Sequence, residues 1–314
     1  MKAYITGISG FAGSFLAELL LEKDYEVYGT HVSDDIKNLE HIKNDLHLEK
    51  VNLLELDSIK DSISKSSPDV VYHLAALTSP AQSFNEPDLV VTNNITAELN
   101  LLESIRLSSA SPRVLIVSSA EVYGLILPEN LPVNEKTELR PSSPYAVSKI
   151  AQDYLGLQYS LSYGMDIVRV RPFNHIGPRQ TPQFVVAAFA RQIAEIEKQH
   201  KDSVISVGNL DAKRDFTDVR DMVKAYYALT KKGEVGQVYN VGSGKSYKIS
   251  EVLQKLLSFS DKKIQIEVDL LKLRPSDVPD IYSDNSKIEK LGWSPQIDLS
   301  KTLKDTLDYW RDVV

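Results

Sequence analysis

Residues 3–13 read AYITGISGFAG, and this stretch decides the fold. A short apolar run, typical of a buried strand, leads straight into a turn that contains Gly7, Gly10 and Gly13. The segment 15–23 that follows has helical length and good helix formers. Glycine suits a turn whose amides must approach phosphate oxygens, and the N-terminus of the next helix offers free N–H groups to the same anion. The order of strand, glycine turn and helix predicts a dinucleotide-binding site.

Further strand-like and helix-like segments alternate through the first half of the chain. Apolar runs predict strands at 26–30, 50–53, 69–74, 113–119 and 166–170. Apolar strands with helices between them imply a parallel sheet covered on both faces, which is the Rossmann-type doubly wound α/β fold. Ligands bind such sheets beyond the carboxyl ends of the strands. We therefore expect Gly7, Ala75, Ser119 and Phe173 to line one crevice.

The pattern changes after residue 172, where prolines cluster. The sequence beyond this point predicts a long helix ending near residue 199, a helix over 216–229, and short strands near 239–242 and 264–268. We therefore assign residues 1–172 to the dinucleotide-binding domain, with segments near 211–242 returning to it. Residues 173–314 are assigned mainly to a smaller α/β substrate domain.

A second motif places a titratable pair near the predicted crevice. Tyr145 and Lys149 are four residues apart, so they share one face of a helix, and Pro144 suits its first turn. A tyrosine phenol has a reference pKa of about 10, and a nearby ammonium stabilises the phenolate and moves the pKa toward neutrality. Ser119 adds a neutral hydroxyl that can hold a reacting oxygen. This constellation predicts redox chemistry on a carbonyl or alcohol.

Composition excludes several other classes of function. The net charge of −7 argues against nonspecific binding to nucleic acid or an anionic membrane. The absence of cysteine excludes disulfides and thiolate chemistry and fits a cytoplasmic protein. We expect no signal peptide, no membrane span, because no apolar run approaches about 20 residues, and no metal site, because the histidines show no ligand spacing.

Several motifs, taken together, resemble one family. They are TGISGFAG at 6–13, HLAA at 73–76, VSSAEVYG at 117–124, SPYAVSK at 143–149 and RPFNHIGP at 171–178. They resemble the extended short-chain dehydrogenase/reductases, the NAD-dependent epimerase/dehydratase family, over essentially the whole chain. Three later motifs, VGNLDAKRDFTDVRDMVKAYY at 207–227, YNVGSG at 239–244 and LRPSDVP at 273–279, resemble enzymes of GDP-mannose-derived deoxysugars.

The resemblance implies a cofactor, a substrate class and an assembly. It implies NAD(P)(H), a GDP-sugar, and a homodimer through a four-helix bundle made by the helices that contain Asn93 and Tyr145. The catalytic residues it implies are Ser119, Tyr145, Lys149 and Glu121. For the cofactor it implies Gly7, Ser9, Gly10, Phe11, Ala12, Gly13, His31, Asn52, Leu53, Leu74, Ala75, Ala76, Asn93, Tyr145, Lys149, Pro172 and Phe173. For the substrate it implies Thr78, Ser79, Ser119, Glu121, Asn174, Arg179, Val185, Arg214, Arg274 and Asp277.

Two questions stay open at this point. NAD-specific relatives carry an acid at the end of the second strand, and NADP-specific relatives carry an Arg or Lys nearby. This chain has THVSD at 30–34, so the choice between NAD and NADP is undecided.

Glu121 stands where 4,6-dehydratases place the base that removes a sugar proton. Since reductases can also carry glutamate there, we expect reduction of the 4-keto group of a GDP-linked 6-deoxyhexose, with a 4,6-dehydratase, a 4-epimerase or a non-catalytic dinucleotide sensor as alternatives.

Overall fold

The structure is a computed structural model that describes residues 1–199, 202–272 and 278–314. Its strands are β1 Lys2–Thr6, β2 Glu26–His31, β3 Leu46–Lys50, β4 Val70–His73, β5 Arg113–Val117, β6 Ile167–Pro172, β7 Asn174–Ile176, β8 Val204–Val207, β9 Lys213–Arg214, β10 Phe216–Asp218, β11 Val238–Val241, β12 Tyr247–Lys248, β13 Gln265–Val268 and β14 Asp280–Ile281. Its helices are α1 Phe11–Glu22, α2 Leu56–Ser66, α3 Pro80–Asn85, α4 Pro87–Leu107, α5 Pro144–Tyr163, α6 Val185–Glu197, α7 Val219–Lys232, α8 Ile249–Leu257, α9 Ser286–Glu289 and α10 Leu299–Val313.

A seven-stranded parallel sheet organises the molecule, in the order β11-β6-β5-β4-β1-β2-β3. Strands β4 and β6 are buried along their whole length, as expected for parallel strands with both faces covered. Helices α1 and α7 pack together beside one face, while α4 packs against α2 and α5 beside the other. The predicted Rossmann-type fold is confirmed. All seven strands end at the same edge, which is where the glycine turn lies.

Two predicted elements differ from the structure by more than two residues at an end. The third strand is β3, at 46–50, because the Asn52 side chain accepts a hydrogen bond from the Leu54 amide at 3.1 Å and turns the chain where the sequence predicted a strand. The helix expected over 216–229 begins only at Val219. Residues 216–218 pair with β7 as β10, and the Asp218 carboxylate caps the helix by accepting from the Arg220 amide.

A second hydrophobic cluster lies in the C-terminal part of the chain. It is formed mainly by α6, α8 and α10, which pack on one another through residues such as Phe189, Leu253 and Leu307. The small sheets β12-β9-β14 and β13-β8 accompany this cluster. Because α6 and β9 also reach the carboxyl edge of the large sheet, a cleft forms between this C-terminal part and the large sheet. No helix within the described ranges is long and apolar enough to cross a membrane.

Candidate active site

The glycine turn forms a tight cradle at the end of β1. Gly7 has φ of +72°, and a Cβ atom on it would lie 3.1 Å from the Ala75 Cα atom. A Cβ atom on Gly13 would lie 2.4 Å from the carbonyl oxygen of Gly7, which no side chain tolerates. Gly10 precedes α1 without capping its first amides. The cradle therefore exposes free N–H groups at the positive end of a helix dipole, which suits a dinucleotide pyrophosphate.

The cleft above this cradle has a volume of about 1390 Å³. The structure brings the following predicted residues together along its walls: Gly7, Ser9, Gly10, Phe11, Ala12, Gly13, His31, Asn52, Leu53, Leu74, Ala75, Ala76, Thr78, Asn93, Ser119, Glu121, Tyr145, Lys149, Pro172, Phe173, Asn174, Val185 and Arg214. The four strand-end positions expected to converge do so, because parallel strands present their carboxyl ends at one edge.

Two predicted substrate residues do not line this cleft. The Ser79 hydroxyl caps α3 by accepting a hydrogen bond from the Gln82 amide at 3.2 Å. Arg179 turns toward α1, where it pairs with Glu18 at 2.6 Å and lies over the Phe15 ring at 4.4 Å. Their polar groups are engaged by neighbours that sequence spacing does not reveal. Arg274 and Asp277 lie outside the residues that the structure describes.

Helix α5 carries the titratable pair into the cleft. Ser143 caps its N-terminus by accepting from the Ala146 amide at 3.1 Å, and Pro144 occupies the first turn as predicted. Tyr145 and Lys149 are both buried, and the Lys149 ammonium lies 6.0 Å from the Tyr145 ring centroid. The same ammonium donates to the Val117 carbonyl at 2.9 Å, which fixes it at the end of β5.

Burial controls the protonation of both groups. Burial raises the pKa of the Tyr145 phenol, against a smaller lowering by its hydrogen bond with Ser119 and with a further rise from the Glu121 charge. The expected lowering of this pKa by Lys149 is therefore not the dominant effect, because the phenolate loses its hydration in the cleft. Burial lowers the pKa of Lys149 to about 8, while Glu98 opposes that fall. The phenol is thus protonated and able to act as an acid at neutral pH.

A short 3₁₀ helix, Ala120–Tyr123, follows β5; Ser119 caps its N-terminus and Glu121 lies within it. The Ser119 hydroxyl accepts from the Glu121 amide at 3.2 Å, and only 8% of the Ser119 residue is exposed. Because Ser119 and Tyr145 line the same cleft and the Ser119 hydroxyl lowers the pKa of the phenol, the two can hold one oxygen atom of a bound molecule between them. Glu121 is half-buried beside them on the cleft wall.

Asparagine 94 is a supporting residue that sequence reasoning missed. The resemblance implied Asn93 at the cofactor site, and Asn93 lines the cleft, whereas the adjacent Asn94 makes the structural contacts. Asn94 exchanges hydrogen bonds with the Leu77 backbone at 2.8 and 3.1 Å and donates to the Ser148 hydroxyl at 2.9 Å. It thereby ties the loop after β4 to helix α5. The adjacent pair of asparagines was the signal available in the sequence.

Aspartate 215 plays a similar part on the opposite wall. It is fully buried, and its carboxylate accepts from the amide and hydroxyl of Ser243, each at 2.6 Å. It also accepts from the amide and hydroxyl of Ser283, at 3.0 and 2.7 Å. The preceding Arg214 is held by the carbonyls of Lys213 and Val278, at 2.7 and 2.6 Å. The motif Arg-Asp-Phe in the sequence was the signal for this acid.

The far end of the cleft is lined by His31 and Asn52. The His31 ring shares a hydrogen bond with the Ser33 carbonyl at 2.8 Å. Asn52 donates to Glu55 at 2.8 Å. The nearby Lys50 is paired with Asp34 at 2.8 Å. Opposite charges therefore balance beside this end of the cleft.

One cleft of a Rossmann-type fold contains the glycine cradle, the buried Tyr145–Lys149 pair and the Ser119 hydroxyl. This combination defines a dinucleotide-dependent enzyme of the extended short-chain dehydrogenase/reductase class. Comparison with known proteins narrows the class. The chain belongs to the GDP-mannose 4,6 dehydratase family, whose model matches residues 4–306.

Individual relatives in this group catalyse different reactions. The chain is 33% identical over 314 residues to a GDP-6-deoxy-D-mannose reductase from Pseudomonas aeruginosa, covering 100% of this chain and 98% of that protein. It is 31% identical to a GDP-mannose 4,6-dehydratase from Vibrio cholerae, covering 96% of this chain and 91% of that one.

Solved structures are equally similar along the whole chain. The structure of RMD from Pseudomonas aeruginosa complexed with NADPH gives a TM-score of 0.88 at 33% identity, covering 100% and 99% of the two chains. The Thermus thermophilus UDP-glucose 4-epimerase complex with NAD gives 0.90 at 27% identity, covering both chains completely.

Proposed function

We propose that the protein is an NAD(P)H-dependent reductase that acts on the 4-keto group of a GDP-linked 6-deoxyhexose. The observation that carries the proposal is the buried Tyr145 phenol beside Ser119 and Lys149 in the cleft that the glycine cradle opens. The similarity to a GDP-6-deoxy-D-mannose reductase over the full chain supports the choice of substrate. A non-catalytic dinucleotide sensor would not require these three side chains together.

The cofactor supplies a hydride to the carbonyl carbon when it is bound in this cleft. The chain's own residues supply the rest. Ser119 and Tyr145 hold the carbonyl oxygen, and the Tyr145 phenol donates its proton to that oxygen as negative charge develops there. The Lys149 ammonium stabilises the phenolate that remains and would hold the ribose hydroxyls of the cofactor. Gly7, Gly10 and Gly13 would admit the pyrophosphate to the amides of α1.

The opposite wall would bind the nucleotide of the substrate. Arg214 has a planar guanidinium that suits a diphosphate, and Asn174 and Val185 also line the cleft. Thr78 and Glu121 also line the cleft and would face the sugar. We propose the same nucleotide end for Arg274 and Asp277, on the resemblance of their motif.

The direct test incubates the protein with GDP-4-keto-6-deoxymannose and either NADPH or NADH and identifies the product by NMR. The proposal expects one equivalent of reduced cofactor to be consumed for each sugar whose C4 carbonyl becomes a hydroxyl. Replacement of GDP by UDP or dTDP in the substrate should slow the reaction strongly. No reduction with either cofactor would overturn the proposal.

A 4,6-dehydratase is the second candidate, because Glu121 lies beside Tyr145 and its charge acts on the phenol. A dehydratase must remove the C5 proton and expel the C6 hydroxyl, so it requires this additional base. If the protein is a reductase, Glu121→Gln should slow reduction only modestly, and wild type should form no 4-keto product from GDP-mannose. Conversion of GDP-mannose by wild type that stops in Glu121→Gln would establish the dehydratase instead.

We also propose a homodimer through α4 and α5. Helix α5 exposes an apolar stripe of Val147, Tyr154 and Leu161, which are 48%, 51% and 75% exposed, and α4 exposes Leu99 nearby. Residues seven apart share one face of a helix, so the stripe can pack against the same surface of a second copy. Light scattering at micromolar concentration should give twice the 35.1 kDa chain mass, and Leu161→Asp should reduce it to the monomer. A monomeric wild type would contradict this assembly.

A further inference from the structure

Helix α4 buries a glutamate that the proposed reaction does not use. Glu98 has no exposed surface, and neither of its carboxyl oxygens accepts a hydrogen bond from the described residues. An unpaired buried carboxyl is costly, so its presence requires a partner or a task. The groups that act on it are Lys149, Gln152 and Asp153, all on the facing side of α5.

The surroundings leave Lys149 as the partner of opposite charge. Asp153 is committed to Arg169 and Arg171, both of which pair with it. The His73 ring of β4 shares hydrogen bonds with the hydroxyl of Thr6 and the side chain of Gln152. Burial keeps His73 neutral, because its pKa falls to about 3.

The remaining neighbours of α4 contribute no charge at this point. Helix α2 packs on α4 and turns its titratable side chains, Asp57, Lys60, Asp61 and Lys65, to solvent. The short helix α3 has no titratable residue. The Gln152 Oε1 atom, like both oxygens of Glu98, lacks a hydrogen-bond donor among the described residues. Glu98 and Lys149 are thus a buried acid and a buried base on two helices, α4 and α5, that pack against each other.

We propose that Glu98 is a positioning residue that keeps Lys149 protonated and thereby sets the upper pH limit of the Tyr145–Lys149 pair. This proposal rests on the proposed function only where it concerns the pH dependence of catalysis. The effect of Glu98 on the protonation of Lys149 does not depend on which reaction the protein catalyses.

The physical reasoning concerns two opposed effects on one ammonium. Burial lowers the pKa of Lys149 to about 8, and the charge of Glu98 raises it against that fall. Burial raises the pKa of Glu98, and Lys149 lowers it in return. Two groups coupled in this way lose protons as a unit. When the pH rises, ionisation of Glu98 places a carboxylate beside the ammonium and retains its proton, whereas a neutral glutamine cannot.

The first experiment measures the lysine directly, without cofactor or substrate. NMR of protein labelled with ¹³C at the lysine Cε atoms follows the Lys149 resonance with pH, assigned by its loss in Lys149→Arg. Glu98→Gln, a nearly isosteric change, should lower the titration midpoint of Lys149 by roughly one pH unit, because it removes the carboxylate charge that raises the pKa of the lysine. Glu98→Asp, which keeps the charge, should restore at least half of that shift.

Glu103→Gln is the matched control. Glu103 lies on the same helix, one and a half turns from Glu98, and is paired with Arg106 instead. This variant should leave the Lys149 midpoint unchanged. An unchanged midpoint in Glu98→Gln would overturn the proposal. Should Glu98→Gln fail to fold, Glu98→Asp decides alone. The proposal then expects a Lys149 midpoint below that of wild type by up to about half a pH unit, because the shorter side chain moves the carboxylate away from the lysine. A midpoint equal to that of wild type, or a larger fall, overturns the proposal.

The second experiment is the pH profile of kcat/KM for keto-sugar reduction. The alkaline limb should move to lower pH by about the same amount in Glu98→Gln, while activity near pH 6 stays within about twofold of wild type. A uniform loss of kcat/KM at every pH, with no displacement of the limb, would mean that Glu98 serves packing only. If neither wild type nor any variant reduces the substrate, the proposed function is wrong. The NMR titration still decides the role of Glu98 in that case.

Discussion

The two walls of the cleft are built in different ways. The wall that would hold the cofactor consists of strand ends, the glycine cradle and the first turn of α5, each made from a contiguous piece of sequence. The wall that would hold the nucleotide-sugar consists of short strands from distant parts of the chain, where β9 pairs with β12 and β14. On the first wall the backbone fixes the binding groups. On the second wall a side-chain network around Asp215 fixes them.

This difference predicts how each wall responds to substitution. A change on the cofactor wall should affect either proton transfer or cofactor entry and leave the other wall intact. A change on the substrate wall should affect binding of the nucleotide in proportion to how firmly the side chain is held in the cleft. The following predictions test that separation, in order of decreasing effect.

The largest effect is expected from Tyr145→Phe. Removal of the phenol hydroxyl deletes the proton donor without changing the shape of the cleft, so kcat should fall by about 10²–10⁴. Cofactor affinity, measured by fluorescence titration, should change little because Lys149 and the glycine cradle remain. Turnover close to that of wild type would show that another acid donates the proton and would remove the catalytic assignment of this wall.

Gly13→Ala should abolish cofactor binding while the substrate wall still binds GDP. The new methyl group would lie 2.4 Å from the Gly7 carbonyl oxygen and 2.9 Å from the Ile8 backbone, so the cradle must open. Gly164→Ala, at the end of α5, is the control, because its Cβ atom would meet nothing within 4 Å although its φ is +66°. The control should lose about 1 kcal/mol of stability and keep its cofactor affinity. Equal cofactor affinity in both variants would contradict the cradle.

Arg214→Ala should weaken GDP binding by roughly tenfold or more, because the diphosphate would lose its hydrogen bonds with a desolvated guanidinium. Arg179→Ala is the comparison, since the Arg179 guanidinium pairs with Glu18 and does not line the cleft. Its effect should stay below about threefold, as for an ordinary partly exposed ion pair. Calorimetry with GDP measures both values. A larger loss in Arg179→Ala would reverse the positions assigned to these two arginines.

The cofactor side should also limit acid stability through His73. Burial lowers the pKa of His73 to about 3 in the folded protein, whereas the unfolded chain titrates near about 6.5. The unfolded state therefore binds the proton first, and stability falls as the pH drops below about 6.5. Between pH 7 and pH 5 the loss should be about 2 kcal/mol. Urea denaturation of wild type and His73→Gln should show that the variant loses less over this interval; an equal loss would exclude His73 as the cause.

Most of the cofactor wall could be predicted from the sequence because its geometry is local. The spacing of Gly7 and Gly13 and the four-residue interval between Tyr145 and Lys149 determine their arrangement once the strand and helix form. Ser79 and Arg179 could not be placed in this way. Whether a serine caps a helix or faces a ligand depends on a single hydrogen bond, and the position of Arg179 depends on Glu18, which is distant in sequence.

Asparagine 94 and Asp215 show the same limit. Their roles follow from contacts between segments that only the folded chain brings together, such as Asn94 with Ser148 and Asp215 with Ser283. The end of β3 was misplaced for a related reason, since a side-chain turn at Asn52 stops a run that is otherwise compatible with a strand. Local sequence patterns predict which strand, turn or helix carries a residue. Tertiary contacts decide which partner the polar atoms of its side chain bond.

The most direct test of the central claim follows a deuterium label. Wild-type protein is incubated with GDP-4-keto-6-deoxymannose and NADPH or NADH deuterated at the transferable position of nicotinamide C4. If the protein reduces the carbonyl at the site formed by Ser119, Tyr145 and Lys149, NMR should show one deuterium at the sugar C4 atom. One equivalent of cofactor should be oxidised at the same time. The claim is contradicted if the label stays on the cofactor and the C4 carbonyl of the keto-sugar is recovered unchanged.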